Sequence, residues 1–277
     1  MLPMKSRYIY VIAVVTAASK SSGTVPDVKT GIQLKSSLEP KVSDNKKIIV
    51  ALDKATAPEA LELAAQLDPA LCRVKVGKEL FTSAGPSVIE ALQKQNFEVF
   101  LDLKFHDIPN TVASAVRVAT GLGVWMLTLH AAGGERMLAA ARDACDAAGG
   151  KAPMLVAVTV LTSMDQPELN STGITDSVTD QVQRLAGLAV KGGCDGIVCS
   201  ALEAEAWSNS VPGLLKVTPG IRLAGDDASD QRRVMTPAKA LASGADYLVI
   251  GRSITGADSP TDVLQKITDE LQAHQAA

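Results

Sequence analysis

Eight short apolar runs, each followed by a segment of helical periodicity, are the feature that most constrains the fold of this chain. The runs are rich in Val, Ile and Leu and span residues 48–53, 72–77, 98–104, 124–130, 153–162, 195–200, 215–220 and 246–251. In the segments that follow them, apolar residues return at spacings of three and four, which is typical of helices. Strands that alternate with helices form parallel sheets, and eight such units predict an α/β fold with a closed parallel sheet, the (β/α)8 TIM barrel.

A doubly wound open sheet is the alternative, because the number of strands does not show whether a sheet closes. The nucleotide-binding fingerprints of such sheets are missing: no G-x-G-x-x-G follows the first run, and no G-x-x-x-x-G-K-[ST] occurs anywhere. Apolar residues make up 47% of the chain but aromatic residues only 3%. A core of small aliphatic side chains is typical of parallel sheets covered by helices, so the barrel is the preferred prediction.

The first 46 residues differ in composition from residues 47–277, which form the predicted barrel domain. Their apolar stretch "RYIYVIAVVTAAS" resembles a weak signal peptide and is too short to span a membrane. The stretch that follows is rich in Ser, Lys, Pro and Gly, which predicts disorder. An extension from an upstream start codon is the other interpretation, since Met4 follows Met1 so closely. We favour the extension and expect a cytoplasmic protein, because the remainder has the character of an intracellular enzyme.

Charge and cysteine content exclude several functional classes. The formal net charge is -3 with both signs interspersed, so nucleic acid is not an expected partner. The four cysteines contain no C-x-x-C pair and the chain has only three histidines, so we expect free thiols in a reducing compartment and no zinc site. No signature of an organic cofactor occurs. Composition alone leaves a carboxylate-bound magnesium ion open.

Polar residues collect at the carboxyl ends of the predicted strands, where barrel enzymes place their chemistry. These residues are Asp53, Lys75, Asp102, Lys104, His130, Thr162, Ser200, Arg222 and Arg252. The strand period of two puts Asp102 and Lys104 on the face that carries Phe100. We therefore predict that Lys75, Asp102 and Lys104, with Asp107 beyond them, form a row of alternating charges. Since buried ion pairs stabilise a fold poorly, such a row favours a function over a structural plug.

A second group of residues follows the seventh and eighth predicted strands. It comprises "TPGIR" at 218–222, "DQRR" at 230–233 and "VIGR" at 249–252. Glycine allows close approach of a ligand to the backbone, and arginine binds phosphate through two parallel hydrogen bonds. Barrels often bind phosphate at this place, so we predict a phosphate site, with residues 223–231 as a lid over it.

Together these motifs resemble those of the orotidine 5'-phosphate decarboxylases, in their shorter bacterial form, over about residues 47–270. The matching motifs are "VALD", "KVGKELF", "FLDLKFHDIPNT", "VTVLTS", "VTPGIR", "DQRR" and "VIGR". The resemblance implies conversion of orotidine 5'-phosphate (OMP) to UMP in pyrimidine biosynthesis, without a metal or another cofactor. It also implies a homodimer with shared active sites and no membrane partner.

The resemblance further implies a role for each matching residue. Lys104 would donate a proton to C6 of the pyrimidine, and Asp102 would lie against the departing carboxylate. Lys75 would contact the ribose and orient Asp102, while Asp53 would bind a ribose hydroxyl. Asp107 and Thr111 would reach into the partner's site. The remaining substrate-binding residues would be Thr162 and Ser163 at the pyrimidine and Arg222, Gln231, Gly251 and Arg252 at the phosphate. His106 is left without a catalytic role, and we expect it to pack or hydrogen-bond in its loop.

Two other functions fit part of the pattern. A 3-keto-gulonate-phosphate decarboxylase shares the D-x-K-x-x-D spacing of Asp102, Lys104 and Asp107 but uses magnesium. The "HDIPNT" and "DQRR" motifs favour the nucleotide enzyme instead. A non-catalytic binder of nucleotide phosphates is the other candidate, and the charge row argues against it, because binding alone gives no reason to keep so costly a cluster.

Overall fold

The computed structural model describes residues 46–148, 152–208, 213–223 and 235–276. The predicted extension therefore lies outside the described residues except for Lys46. The same is true of Gln231 and of the predicted lid beyond Leu223.

Within the described residues, eight parallel strands pair in chain order and the last returns to the first, which closes the barrel. The strands are β1 (Ile48–Ala51), β2 (Cys72–Gly77), β3 (Val99–Phe105), β4 (Met126–His130), β5 (Met154–Val158), β6 (Gly196–Val198), β7 (Leu215–Thr218) and β8 (Tyr247–Ile250). Each predicted run overlaps one of them, so the predicted (β/α)8 barrel is confirmed.

Helices follow the strands, as the apolar periodicity of the intervening segments predicts. They are α1 (Ala57–Ala64), α2 (Lys78–Ala84), α3 (Ser87–Lys94), α4 (Pro109–Gly121), α5 (Glu135–Ala147), α6 (Gln166–Ser171), α7 (Val178–Lys191), α8 (Ala201–Ser208), α9 (Pro237–Ala242), α10 (Arg252–Thr255) and α11 (Pro260–Ala276). No helix of the described ranges is both long and apolar enough to cross a membrane.

The barrel interior is filled by buried side chains from six of the strands. They are Ile49, Ala51, Phe100, Met126, Val156, Val217, Tyr247 and Val249. At the amino-terminal end, the buried guanidinium of Arg73 lies 4.0 Å from the ring centroid of Trp125 and pairs with Glu98 at 3.0 Å. Because this core fills the barrel, the polar residues at the carboxyl ends of the strands lie next to an apolar interior.

The third strand departs from regular geometry just where its charged residues lie. Its register against β4 shifts between Leu101 and Phe105. Lys104 has a φ of 53°, a left-handed conformation that residues with a Cβ rarely adopt. The simple alternation predicted for this strand therefore ends before Lys104.

The fifth strand is shorter than its apolar run suggests. It ends at Val158, whose partner Val198 is the last residue of β6. After this pair, the Thr159 hydroxyl donates a hydrogen bond to the Val198 carbonyl at 3.1 Å, and the pairing of β5 with β6 ends. Thr162 consequently lies in a loop rather than on a strand.

Candidate active site

A pocket of about 190 Å³ opens at the carboxyl ends of the first three strands. Its lining consists of Leu52, Asp53, Lys75, Gly77, Lys78, Glu79, Leu80, Asp102 and Lys104. The structure thus brings together four residues that the sequence singles out: Asp53, Lys75, Asp102 and Lys104. They come from the ends of three neighbouring strands, as catalytic residues of barrel enzymes do.

The four charged side chains form a continuous row of alternating sign. Lys75 Nζ lies 3.0 Å from Asp53 Oδ1 and 3.7 Å from Asp102 Oδ2. Lys104 Nζ lies 2.7 Å from both carboxylate oxygens of Asp102. The inner residues Lys75 and Asp102 are each 9% exposed, whereas Asp53 faces solvent. The middle of the row is therefore buried, while its two ends are more exposed.

Asp102 stays ionised in this setting. Burial by itself would raise the pKa of its carboxyl group, but the ammonium groups of Lys75 and Lys104 lie beside it and favour the charged form. Hydrogen bonds from Lys104 and Thr128 add to their effect, and the pKa is lowered below its usual range. The pocket floor thus carries a fixed negative charge between two cations.

Two glycines, Gly77 and Gly251, lie beside the charge row. A Cβ at Gly77 would lie 3.3 Å from Lys75 Nζ, so a side chain there would crowd the ammonium. A Cβ at Gly251 would lie 4.0 Å from Asp53 Oδ2, which puts the backbone after β8 beside the outer carboxylate. The predicted phosphate residue Gly251 consequently adjoins the pocket without lining it.

Asp107 and Thr111 lie away from the pocket of their own chain. Both are exposed and neither is among the lining residues. The Asp107 carboxylate accepts a hydrogen bond of 2.6 Å from the Ile108 amide. The sequence pattern placed Asp107 beyond Lys104, whereas the row within this chain is extended at its other end, where Asp53 pairs with Lys75.

The other predicted binding residues of the described ranges, Thr162, Ser163, Arg222 and Arg252, follow the fifth, seventh and eighth strands and do not line this pocket. Thr162 is half-buried and Ser163 exposed in the loop after β5. After β7, the Arg222 amide donates to the Met235 carbonyl at 3.1 Å, which ties the two ends of the segment between them together. Arg252 is exposed at the start of α10.

Thr128 is a site residue that the sequence analysis missed. It is fully buried on β4, where its hydroxyl contacts both Asp102 and the backbone of Lys104. A hydroxyl in an apolar strand requires a partner, and this was the one signal in the sequence that could have found it. Lys78 was missed as well, because Lys75 in the same motif already accounted for the strand end.

His130 ends β4 next to the charge row. Burial, helped by His106, Lys78 and Lys104, lowers the pKa of its imidazole to about 4, so the ring is neutral at neutral pH. Its centroid lies 5.3 Å from that of His106. His106 therefore packs on a neutral ring at the edge of the site.

Among the residues that the structure describes, no group of three or more His, Cys, Asp or Glu side chains is arranged to hold a metal ion.

Comparisons with known proteins agree on one family. The model of the orotidine 5'-phosphate decarboxylase / HUMPS family matches residues 46–267. The orotidine 5'-phosphate decarboxylase of Psychromonas ingrahamii is 55% identical over 226 residues, which cover 81% of this chain and 97% of that protein. That of Pseudomonas fluorescens strain Pf-5 is 55% identical over 224 residues, with 81% and 96% covered.

A solved structure gives the same result. The crystal structure of orotidine 5'-phosphate decarboxylase from Lactobacillus acidophilus superposes with a TM-score of 0.73 at 37% identity. The match covers 82% of this chain and 99% of that one.

Proposed function

We propose that this chain, which belongs to the orotidine 5'-phosphate decarboxylase / HUMPS family and is a carboxy-lyase, converts OMP to UMP in pyrimidine biosynthesis through the ammonium group of Lys104. The observation that carries the proposal is the row Asp53, Lys75, Asp102 and Lys104 in one pocket. Two lysines that alternate with two aspartates suit an anionic substrate that loses its carboxylate as CO2.

The chemical step is protonation of C6 by Lys104. As the bond between C6 and the carboxyl carbon breaks, CO2 leaves and the electron pair remains on C6, where no carbonyl is placed to delocalise it. A fixed ammonium aimed at this charge stabilises it electrostatically. The Nζ–H bond then breaks, its proton joins C6, and the neutral amine regains a proton from solvent. Lysine suits this role because its charge is compact.

Asp102 has two tasks in this proposal. Its carboxylate binds the Lys104 ammonium through both oxygens, which aims the proton donor. It also faces the carboxylate of OMP, and the repulsion between the two disappears as the substrate carboxylate becomes neutral CO2. The lowered pKa of Asp102 supports both tasks, since each requires the ionised form.

The remaining residues hold the substrate at the barrel mouth. Lys75 and Asp53 contact the ribose hydroxyls, an assignment supported by their ion pair at the pocket rim. Thr162 and Ser163 read the pyrimidine edge. The 5'-phosphate is bound by Arg222, Gln231, Gly251 and Arg252. Contacts to a phosphate remote from C6 supply binding energy that lowers the barrier at the reacting carbon.

We propose a homodimer in which each chain completes its partner's site. Asp107 and Thr111 are exposed and lie outside the pocket of their own chain. Two large apolar side chains of the same region, Ile108 and Val118, are each 66% exposed. A second copy that covers Ile108 and Val118 would bring its own Asp107 and Thr111 toward this pocket, by the reciprocity of a two-fold interface.

The proposed reaction needs neither a metal ion nor another cofactor. Both oxygens of Asp102 already accept from the Lys104 ammonium, and the Lys75 ammonium lies at 3.7 Å. The two lysines thus supply the positive charge that a metal ion provides in other decarboxylases. We place the reaction in the cytoplasm, a reducing compartment that suits the four free cysteines.

We expect the purified chain to convert OMP to UMP at the same rate before and after treatment with EDTA. The loss of OMP absorbance measures the rate, and chromatography identifies UMP. A magnesium-dependent sugar-phosphate decarboxylase serves as the control for effective chelation, since its activity must fall. Absence of UMP would refute the function, and loss of activity that returns with magnesium would refute the cofactor-free mechanism.

A further inference from the structure

The two proposed catalytic residues, Asp102 and Lys104, both lie on β3, where the backbone is irregular. Lys104 adopts a left-handed φ of 53°, and the register of β3 against β4 shifts around it. A conformation of this kind persists only where surrounding contacts hold it, and such outliers concentrate at functional sites. The contact that holds Lys104 therefore matters for the position of its ammonium.

That contact comes from Thr128 on β4. The Lys104 amide donates to Thr128 Oγ1 at 2.8 Å, and Thr128 Oγ1 donates to Asp102 Oδ1 at 3.0 Å. The direction of both bonds is determined, because the amide can only donate and the ionised carboxylate can only accept. One hydroxyl thus joins the backbone of the proton donor to the carboxylate that aims it.

We propose that Thr128 is a positioning residue, whose hydroxyl holds the left-handed backbone at Lys104 and the orientation of Asp102 in a single contact. The inference rests on the proposed function for the roles of Lys104 and Asp102. The ion pair alone leaves the two side chains free to shift together, since both carboxylate oxygens are equivalent toward the ammonium. Thr128 removes this freedom by binding one oxygen from a fully buried position on β4.

Other buried threonines show that the arrangement is not the ordinary way to satisfy a hydroxyl. Thr268 in α11 donates to the Leu264 carbonyl of its own helix at 2.9 Å, and Thr120 in α4 donates in the same way to Val116. Thr128 instead makes both of its hydrogen bonds with residues of the charge row. Thr268 is consequently a matched control for the loss of a buried hydroxyl far from the site.

The test compares Thr128→Val and Thr128→Ala, which lack the hydroxyl, with Thr128→Ser, which keeps it, and with the control Thr268→Val. We expect kcat for OMP to fall about ten- to a hundredfold in Thr128→Val and Thr128→Ala, the effect of one hydrogen bond to a charged group. KM should change far less, because Thr128 does not line the pocket. Thr128→Ser should recover most of the lost kcat, and Thr268→Val should lower only the thermal unfolding midpoint.

A second readout is independent of the reaction. Hydrogen exchange at the Lys104 amide, followed by NMR, should be slow in the wild type and in Thr128→Ser but fast in Thr128→Val and Thr128→Ala. Wild-type protein that fails to act on OMP would refute the proposed function and leave this measurement to decide the inference. Equal amide protection in all variants, or kcat of the folded Thr128→Val chain equal to that of Thr268→Val, would overturn it.

Discussion

Lys104→Ala is expected to abolish UMP formation, with kcat reduced by at least about 10⁴-fold, while the barrel stays folded. The substitution removes both the charge that stabilises the C6 carbanion and the proton that quenches it, and each effect alone is worth about 10²-fold or more. Alanine tolerates the left-handed backbone about as well as lysine, so local strain changes little. The rate of UMP formation, together with circular dichroism of the variant, measures the effect.

Folding of the Lys104→Ala variant is expected because Asp102 keeps two partners. Its carboxylate still lies 3.7 Å from Lys75 Nζ and accepts from Thr128 at 3.0 Å. Lys94→Ala, which removes an exposed lysine near the end of α3, controls for the loss of one positive charge. A folded Lys104→Ala enzyme with near-normal turnover would contradict the mechanism.

Mixing a Lys104→Ala chain with an Asp107→Ala chain should restore activity that neither chain has alone. In a mixed dimer, the pocket of the Asp107→Ala chain keeps its own Lys104 and receives an intact Asp107 from the partner. Random pairing makes half of the dimers mixed, and one of the two sites in each is complete, so about a quarter of wild-type activity is expected from a two-fold dimer. Native mass spectrometry of differently tagged chains measures the mixed fraction.

The matched control for this experiment pairs Lys104→Ala with Asp102→Ala. Both residues belong to the same pocket of one chain, so no exchange of subunits yields a complete site. Activity in this control would show that mixing restores activity without shared sites, and the first mixture would then give no support to sharing. No activity in the first mixture, despite abundant mixed dimers, would show that Asp107 does not act across the interface.

The order of the strands and their approximate positions could be predicted from the sequence, because apolar runs and the polar residues at their carboxyl ends are local properties. Asp53, Lys75, Asp102 and Lys104 were found in this way, since each follows an apolar run at the carboxyl edge of the sheet. Eight strand-helix units favoured a barrel over an open sheet, but closure itself is seen only in the pairing of β8 with β1.

The details of the charge row depend on contacts between strands, which the sequence pattern does not contain. The alternation of side chains along β3 predicted that Lys104 points inward from a regular strand. Its actual backbone conformation is set by the register shift of β3 against β4 and by the hydrogen bond to the Thr128 hydroxyl. The length of β5 was also misjudged, because a strand ends where its neighbour β6 ends and not where its apolar run does. Asp107 could not be placed either, since the role that we propose for it depends on a second chain.

Chemical rescue of Lys104→Cys measures whether an ammonium at position 104 acts at C6. Alkylation with 2-bromoethylamine rebuilds a side chain of nearly lysine length with an ammonium at its end, and alkylation with iodoacetamide adds a neutral amide of similar size. The native cysteines should react slowly. Burial raises the pKa of the Cys72 and Cys194 thiols to about 12, and the Cys145 and Cys199 side chains are buried.

We expect Lys104→Cys to be inactive, 2-bromoethylamine to raise its kcat for OMP decarboxylation by several orders of magnitude, and iodoacetamide to leave it inactive. Restoration by both reagents, or turnover by the unmodified variant at the wild-type rate, would contradict the proposed role of Lys104.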